Sequence, residues 1–370
     1  MLTALESINS LTLLERVGQL FFIGLPGPEV DETTGRLLTD VAPGGVCLFA
    51  RNIKDSSQTR HLLEQLRELS PVKPFLSIDQ EGGMVDRLRR LLGPAPAVNK
   101  INTQQDAREM GEIISVALRI LGFNMDFAPV VDVMDAQRSS TSNGLYSRTF
   151  GRSAEQVVQL AEAFLGALEN DGIGGCLKHF PGLGASEVDS HDELPVVGVA
   201  QTEFEEKDLF PYRKMLAEND SRTVMVAHAC YPNLDLQETD RSGKLLPSSL
   251  SRSVISGLLR GELGFSGLVL TDDLEMGAIL KSYGIGQACK MAISAGADML
   301  AICAGLDSIY DGFNAVSAAV SSGEITEERL NESLVRIAAA KDKLSEPIAF
   351  DETRLGSLSD RIAKINARLN

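Results

Sequence analysis

The 370-residue chain contains no tryptophan, so any flat apolar face it offers a ligand must come from Phe, Tyr or Met. Cations are the minority, with 35 Lys and Arg against 51 Asp and Glu and a formal net charge of −16. That balance argues against nucleic acid or an anionic membrane as partner, because both require a basic patch. The five cysteines, Cys47, Cys176, Cys230, Cys289 and Cys303, form no CxxC pair. All but Cys289 sit in or beside apolar strand-like runs, where a free thiol behaves as a small hydrophobe. Neither a disulfide framework nor a zinc site is indicated. No run approaches the ~18 apolar residues of a membrane span, and the first residues lack a basic segment followed by an apolar one. The expectation is a soluble, cytoplasmic protein.

What is present reads as an ordinary globular chain, 44% hydrophobic and 23% charged, able to bury a sizeable core. Eight short apolar runs recur, at 18–23, 45–49, 74–78, 125–129, 174–177, 223–227, 268–271 and 299–302. Each is too short for a helix and lacks period-two alternation, which suits parallel strands buried on both faces. Helical spacing appears between them, over 61–69 and 154–168. A further helix starts after Thr326, an N-cap followed by Glu327 and Glu328 in the first turn. Ile325 and Leu330 are spaced as a hydrophobic staple, and Leu330, Leu334, Ile337 and Leu344 mark the buried stripe. Strands alternating with helices predict an α/β fold, a (β/α)8 TIM barrel forming a single domain over 1–370, with its core at about 15–345 and a helical tail beyond. A doubly wound open sheet is the competing architecture, but no GxGxxG follows the first strand.

Polar groups fall where such a barrel keeps its chemistry. Asp79, Asp132, Lys178 with His179, His228 and Asp272 each come at or soon after the C-terminal end of a strand, the face from which barrel enzymes act. Five coincidences on five strands are hard to produce by packing alone. Between Lys178 and His191 the chain holds a basic pair, a Gly/Pro-rich loop and an Asp189-x-His191 dyad. An imidazole oriented by a carboxylate is a proton-transfer device. Gly182 and Gly184 are the expected hinges of a loop that brings the dyad over a ligand, and Phe180-Pro181 is a candidate cis bond aiming His179. Further on, the apolar strand ends in two adjacent carboxylates, Asp272 and Asp273; with the dyad they read as an acid/base plus a nucleophile. Bland readings stand beside some of these. His61 lies on a helix surface; His228 reads equally as a satisfied core histidine; Asp132 reads equally as a structural carboxylate; and Arg148 reads also as an ordinary ion-pair partner.

Several segments resemble family 3 glycoside hydrolases, in particular the single-domain β-N-acetylhexosaminidases of bacterial cell-wall (peptidoglycan) recycling. They are Asp79-Gln80-Glu81-Gly82-Gly83 with Arg87, Phe127-Ala128-Pro129-Val130-Val131-Asp132, Arg148-Thr149-Phe150-Gly151, and Lys178-His179-Phe180-Pro181-Gly182. Asp189-Ser190-His191, Ala227-His228, Pro247-Ser248-Ser249-Leu250-Ser251 and Thr271-Asp272-Asp273-Leu274 complete the set in family order. The resemblance implies a retaining, exo-acting hydrolase that removes a terminal β-linked GlcNAc from muropeptide- or chitin-like saccharides. It implies Asp272 as nucleophile and His191, oriented by Asp189, as acid/base. It also implies substrate binding by Asp79, Arg87, Arg148, Lys178 and His179, with His228 on the site floor. No metal or organic cofactor is implied, since both reacting groups are side chains, and a monomer is the expectation.

Two positions depart from the family pattern: Met84 stands where an Arg usually follows the Gly-Gly pair, and Leu183 replaces a His. Three other readings stay open. One is phosphorolysis, which a neutral His acid/base would suit because it does not repel an incoming phosphate. A β-glucosidase is another, though such relatives usually carry a second domain for which this chain has no room. The last is a sugar-binding barrel with weakened catalysis, favoured only by Met84 and Leu183.

Overall fold

The computed structural model describes residues 3–140, 144–188, 193–217 and 222–369. Eight parallel strands form its centre: β1 (Phe21–Gly24), β2 (Gly45–Leu48), β3 (Phe75–Ile78), β6 (Met125–Asp126), β7 (Cys176–Phe180), β8 (Thr223–Val226), β9 (Leu268–Asp273) and β10 (Met299–Ile302). They run in the order β6-β3-β2-β1-β10-β9-β8-β7. Isolated bridges Met125↔Gly174 and Val130↔Lys178 join the two ends of that order, so the ring closes as the (β/α)8 barrel that the apolar runs predict. Most strand positions are buried, as expected for strands covered by helices outside and by layered side chains inside.

The match is uneven in one strand. The run at 125–129 predicts a full strand, but only Met125 and Asp126 join the ladder. Pro129 has no N–H to donate, and the Ala128–Pro129 bond is cis. Pairing with β7 continues through single contacts such as Cys176 N–H to Ala128 O at 2.9 Å. The Phe180–Pro181 bond is also cis, as is Lys178–His179.

The predicted helices are present as Ser56–Leu69, Ala154–Asn170 and Glu327–Lys341. Thr326 caps the last by accepting from Arg329 N–H. Ile325 and Leu330 are buried; Leu344 is buried too, but beyond the helix end. The chain closes with the helix Glu352–Leu369, whose Leu355, Leu358, Ile362 and Ile365 are buried. Arg361 and Arg368 tie it to Glu109 and Asp106 on the helix Gln104–Leu121. Among the described residues, no helix is long and apolar enough to cross a membrane.

One element has no counterpart in the sequence reading. Directly after β3 the chain folds into a small antiparallel hairpin, β4 (Gln80–Gly82) with β5 (Val85–Asp86). Gly82 and Gly83 take φ of +94° and +61° at its turn, conformations open to glycine at low cost. Gln80 N–H donates to Asp126 Oδ1 at 2.9 Å, and Gln80 Nε2 to Asp86 Oδ1 at 2.8 Å. The hairpin is thereby fastened over the C-terminal mouth of the barrel.

Candidate active site

Two cations and two carboxylates from three segments meet at that mouth. Asp79 follows β3, Glu81 lies in the hairpin, Lys178 is in β7, and Arg148 comes from the loop before the helix Ala154–Asn170. Lys178 Nζ sits 2.7 Å from both Asp79 Oδ1 and Glu81 Oε1. Arg148 forks onto Glu81, with Nε to Oε2 at 2.8 Å and Nη2 to Oε1 at 2.9 Å. Burial would push the Glu81 carboxyl up, but Lys178 and Arg148 hold it well below the usual carboxylate range. Burial would likewise push Lys178 down, yet Asp79 and Glu81 raise it above free lysine. Glu81, Lys178 and Arg148 are therefore charged at neutral pH, and the cluster pairs two cationic with two acidic side chains.

A second pair lies beside it. His179 Nδ1 is 2.8 Å from Asp132 Oδ2, while Asp132 Oδ1 accepts from Leu183 N–H at 2.6 Å. Asp132 is thus a buried carboxylate hydrogen-bonded to the His179 ring on one side and to the Leu183 amide on the other.

Asp272 and Asp273 end β9. Asp272 Oδ1 accepts from Asp273 N–H at 2.8 Å. Burial alone would raise its pKa, but His179, His228, that N–H and Lys178 together hold it below the usual value. Asp273 turns away, accepting from Glu275 N–H at 3.0 Å and Cys303 N–H at 3.3 Å. Burial, with Glu275 and Asp272 nearby, pushes it up to about 7. The same strand end therefore holds one carboxylate in its ionised form and pushes its neighbour toward the neutral one.

His228 is fully buried beneath them. Its Nε2 is 3.0 Å from the Asp273 carbonyl and its Nδ1 is 2.7 Å from Ser249 Oγ. A carbonyl can only accept, so Nε2 carries the proton and Nδ1 accepts from Ser249. Burial lowers the His228 pKa, against the pull of Asp272. It is a neutral strut holding the strand end that carries Asp272.

Asp79, Arg87, Arg148, Lys178, His179 and Asp272 line one pocket of about 150 Å³ with Phe49, Phe127, Met225 and Met276. In the absence of tryptophan, these four are the large apolar side chains of its wall. Arg87 Nη2 reaches to 4.0 Å from Asp79 Oδ2. Among the described residues, no group of three potential metal ligands occurs. Asp189 and His191 lie outside the described residues. The sequence reading did not single out Glu81, although two cations, Lys178 and Arg148, call for a second carboxylate beside Asp79. Met84 is 73% exposed at the hairpin turn, whereas Leu183 is buried.

The Glycosyl hydrolase family 3 N terminal domain model matches residues 12–340. The chain belongs to glycosyl hydrolase family 3. It is 32% identical over 298 residues to a beta-hexosaminidase of Tolumonas auensis, covering 78% of this chain and 85% of the relative. A beta-hexosaminidase of Pseudomonas aeruginosa is 34% identical over 267 residues, 70% of this chain and 75% of that one. The family 3 beta-N-acetylglucosaminidase from a Paenibacillus species superposes with a TM-score of 0.85 at 35% identity, covering 96% of this chain and 69% of that structure. A family 3 member from Mycobacterium smegmatis gives 0.79 at 30% identity, over 90% and 98% of the two chains. This family 3 chain is a glycoside hydrolase.

Proposed function

We propose that this glycoside hydrolase is an exo-acting, retaining β-N-acetylhexosaminidase that releases terminal non-reducing β-linked GlcNAc. The observation that carries the reading is Asp272, an ionised carboxylate set in a small pocket opposite a balanced cluster of charged hydrogen-bonding groups. The pocket has room for little more than one sugar ring, which favours attack at a chain end. The names of the relatives from Tolumonas auensis and Paenibacillus support the N-acetylhexosaminide class.

In this mechanism Asp272 attacks the anomeric carbon and forms a glycosyl ester, while His191, oriented by Asp189, protonates the departing oxygen. A water then loses its proton to His191, adds to the anomeric carbon and frees Asp272 with the configuration retained. The roles of His191 and Asp189 rest on the Asp189-Ser190-His191 motif. Asp79 accepts from sugar hydroxyls, and Arg87, Lys178 and His179 donate to hydroxyls and the acetamido group, with charge-assisted bonds strong enough to orient the ring. Arg148 acts chiefly through Glu81. A muropeptide or chitin-derived saccharide in the cytoplasm, as in peptidoglycan recycling, is the natural source of such ends. Five unpaired, buried cysteines suit a reducing compartment.

The test compares p-nitrophenyl β-GlcNAc with p-nitrophenyl β-glucoside, using wild type and Asp272→Ala. Turnover of the first alone, abolished in the variant, is the expected result. Equal turnover of both would overturn the substrate assignment. Release of GlcNAc-1-phosphate in phosphate buffer, in place of GlcNAc, would overturn hydrolysis.

A further inference from the structure

The segment leading from β7 toward residues 189–191 leaves the barrel across a buried ion pair. Arg138 directs Nη1 and Nη2 onto Asp208 Oδ1 and Oδ2, both at 2.8 Å. The same guanidinium donates to Val133 O at 3.2 Å and to Glu203 Oε1 at 3.0 Å. Arg138 is 5% exposed and Asp208 1%. Burial alone would favour a neutral arginine, but Asp208 and Glu203 raise its pKa instead. Asp208 ends a π-helical turn, Phe204–Asp208, a rare distortion found often at functional sites.

The segment lies flush on this pair. A Cβ added at Gly182, whose φ is +132°, would stand 2.7 Å from Asp208 Cβ; one at Gly184 would stand 2.1 Å from Val133 O. Tyr231 donates its hydroxyl to Gly182 O at 2.7 Å, and Leu183 N–H is held by Asp132. Close approach therefore requires glycine at both positions. Residues 182–184 are clamped between Asp208 and the stretch 132–138. A buried ion pair adds little net stability over a well-packed apolar pair. What it does supply is a fixed direction, because the guanidinium fork accepts one arrangement of the carboxylate.

We propose that Arg138 and Asp208 are positioning residues for leaving-group protonation: their bidentate pair fixes the base of the segment whose continuation carries His191. This rests on the reading of His191 as acid/base. It assigns a role in one chemical step, which a merely structural pair would not have.

The readout is the dependence of kcat/KM on leaving-group acidity, measured with 2,4-dinitrophenyl, p-nitrophenyl and phenyl β-N-acetylglucosaminides on full-length protein. Dinitrophenolate departs without a proton, whereas phenolate needs one, and general acid catalysis typically contributes ~10²–10⁴-fold. Asp208→Asn and Arg138→Lys each remove the fork. Both are expected to lose about 10- to 100-fold on the phenyl substrate and under about threefold on the dinitrophenyl one. His191→Ala is the reference and should show a steeper version of the same pattern. If Asp208→Asn does not fold, Arg138→Lys decides, since it keeps the charge. A flat loss across the series, or no loss, in a folded variant while His191→Ala remains steep would overturn the inference alone. A flat His191→Ala profile would overturn the acid/base reading and the inference with it.

Discussion

Replacing Glu81 by Gln removes the charge at the centre of the pocket's ion cluster while keeping the side chain's size. Glu81 accepts from Lys178 and twice from Arg148, and Lys178 keeps Asp79 as a partner. Breaking a buried pair from one side costs about 3–5 kcal/mol. Because Lys178 stays neutralised, the lower end applies, about 3 kcal/mol. For 370 residues, an unfolding entropy of ~2.1 cal/mol/K per residue gives about 0.8 kcal/mol per degree, so the expected drop in Tm is about 4 °C. The sign with pH follows from the direction of the shift. The Glu81 pKa is depressed in the fold, so its contribution is complete above the unfolded value near ~4.3 and fades only as pH falls below that toward the native one. The loss on substitution should therefore be constant from pH 5 to 8 and shrink in acid. Calorimetry of Glu81→Gln, Arg148→Gln and the double variant isolates the pair, with an expected coupling of about 2 kcal/mol. A coupling under about 0.5 kcal/mol, or a loss that grows on acidification, would refute the reasoning.

Two further outcomes follow from single side chains. Asp132→Asn exchanges a charged partner of His179 for a neutral one and alters which ring nitrogen carries the proton. Steady-state kinetics should show a rise in KM of about tenfold or more with a smaller change in kcat; an unchanged KM would count against an orienting role. Lys341, deeply buried, donates to Gln19 Oε1 at 2.8 Å and lies 5.4 Å from the Phe75 ring centroid. Burial pushes its amine down to about 7, so the fold carries the cost of burying charge at and below pH 7, and stability climbs as pH rises from there toward ~10.4. Lys341→Met should raise stability at pH 7 by about 2 kcal/mol and flatten that slope in denaturant titrations. A destabilised variant with the slope intact would show the reasoning wrong.

The barrel was legible because parallel strands buried on both faces leave short unbroken apolar runs, and six of the eight runs cover most of their strands, while the run at 174–177 catches only the first two residues of β7. The eighth misled where Pro129 interrupts the ladder. The hairpin at 80–86 was not legible: strands of two or three residues in a polar stretch leave no periodic trace. Motif and strand-end position single out Asp79, Arg87, Arg148, Lys178, His179 and Asp272, whose side chains line one pocket, and His228, which is buried outside that lining. Glu81 was missed because its importance lies in neutralising Lys178 and Arg148, a tertiary relation that local pattern does not record. The close approach of Asp208 to Gly182 and of Val133 to Gly184 is likewise a tertiary relation that local pattern does not record.

The central claim is a covalent glycosyl–Asp272 intermediate, and intact-protein mass spectrometry after rapid acid quench tests it most directly. With 2,4-dinitrophenyl β-N-acetylglucosaminide and the His191→Ala variant, the second step should be slow and the intermediate should accumulate. The account predicts a mass gain of one N-acetylhexosaminyl unit, mapped by peptide sequencing to Asp272. Turnover with no adduct, or an adduct on another residue, would contradict it.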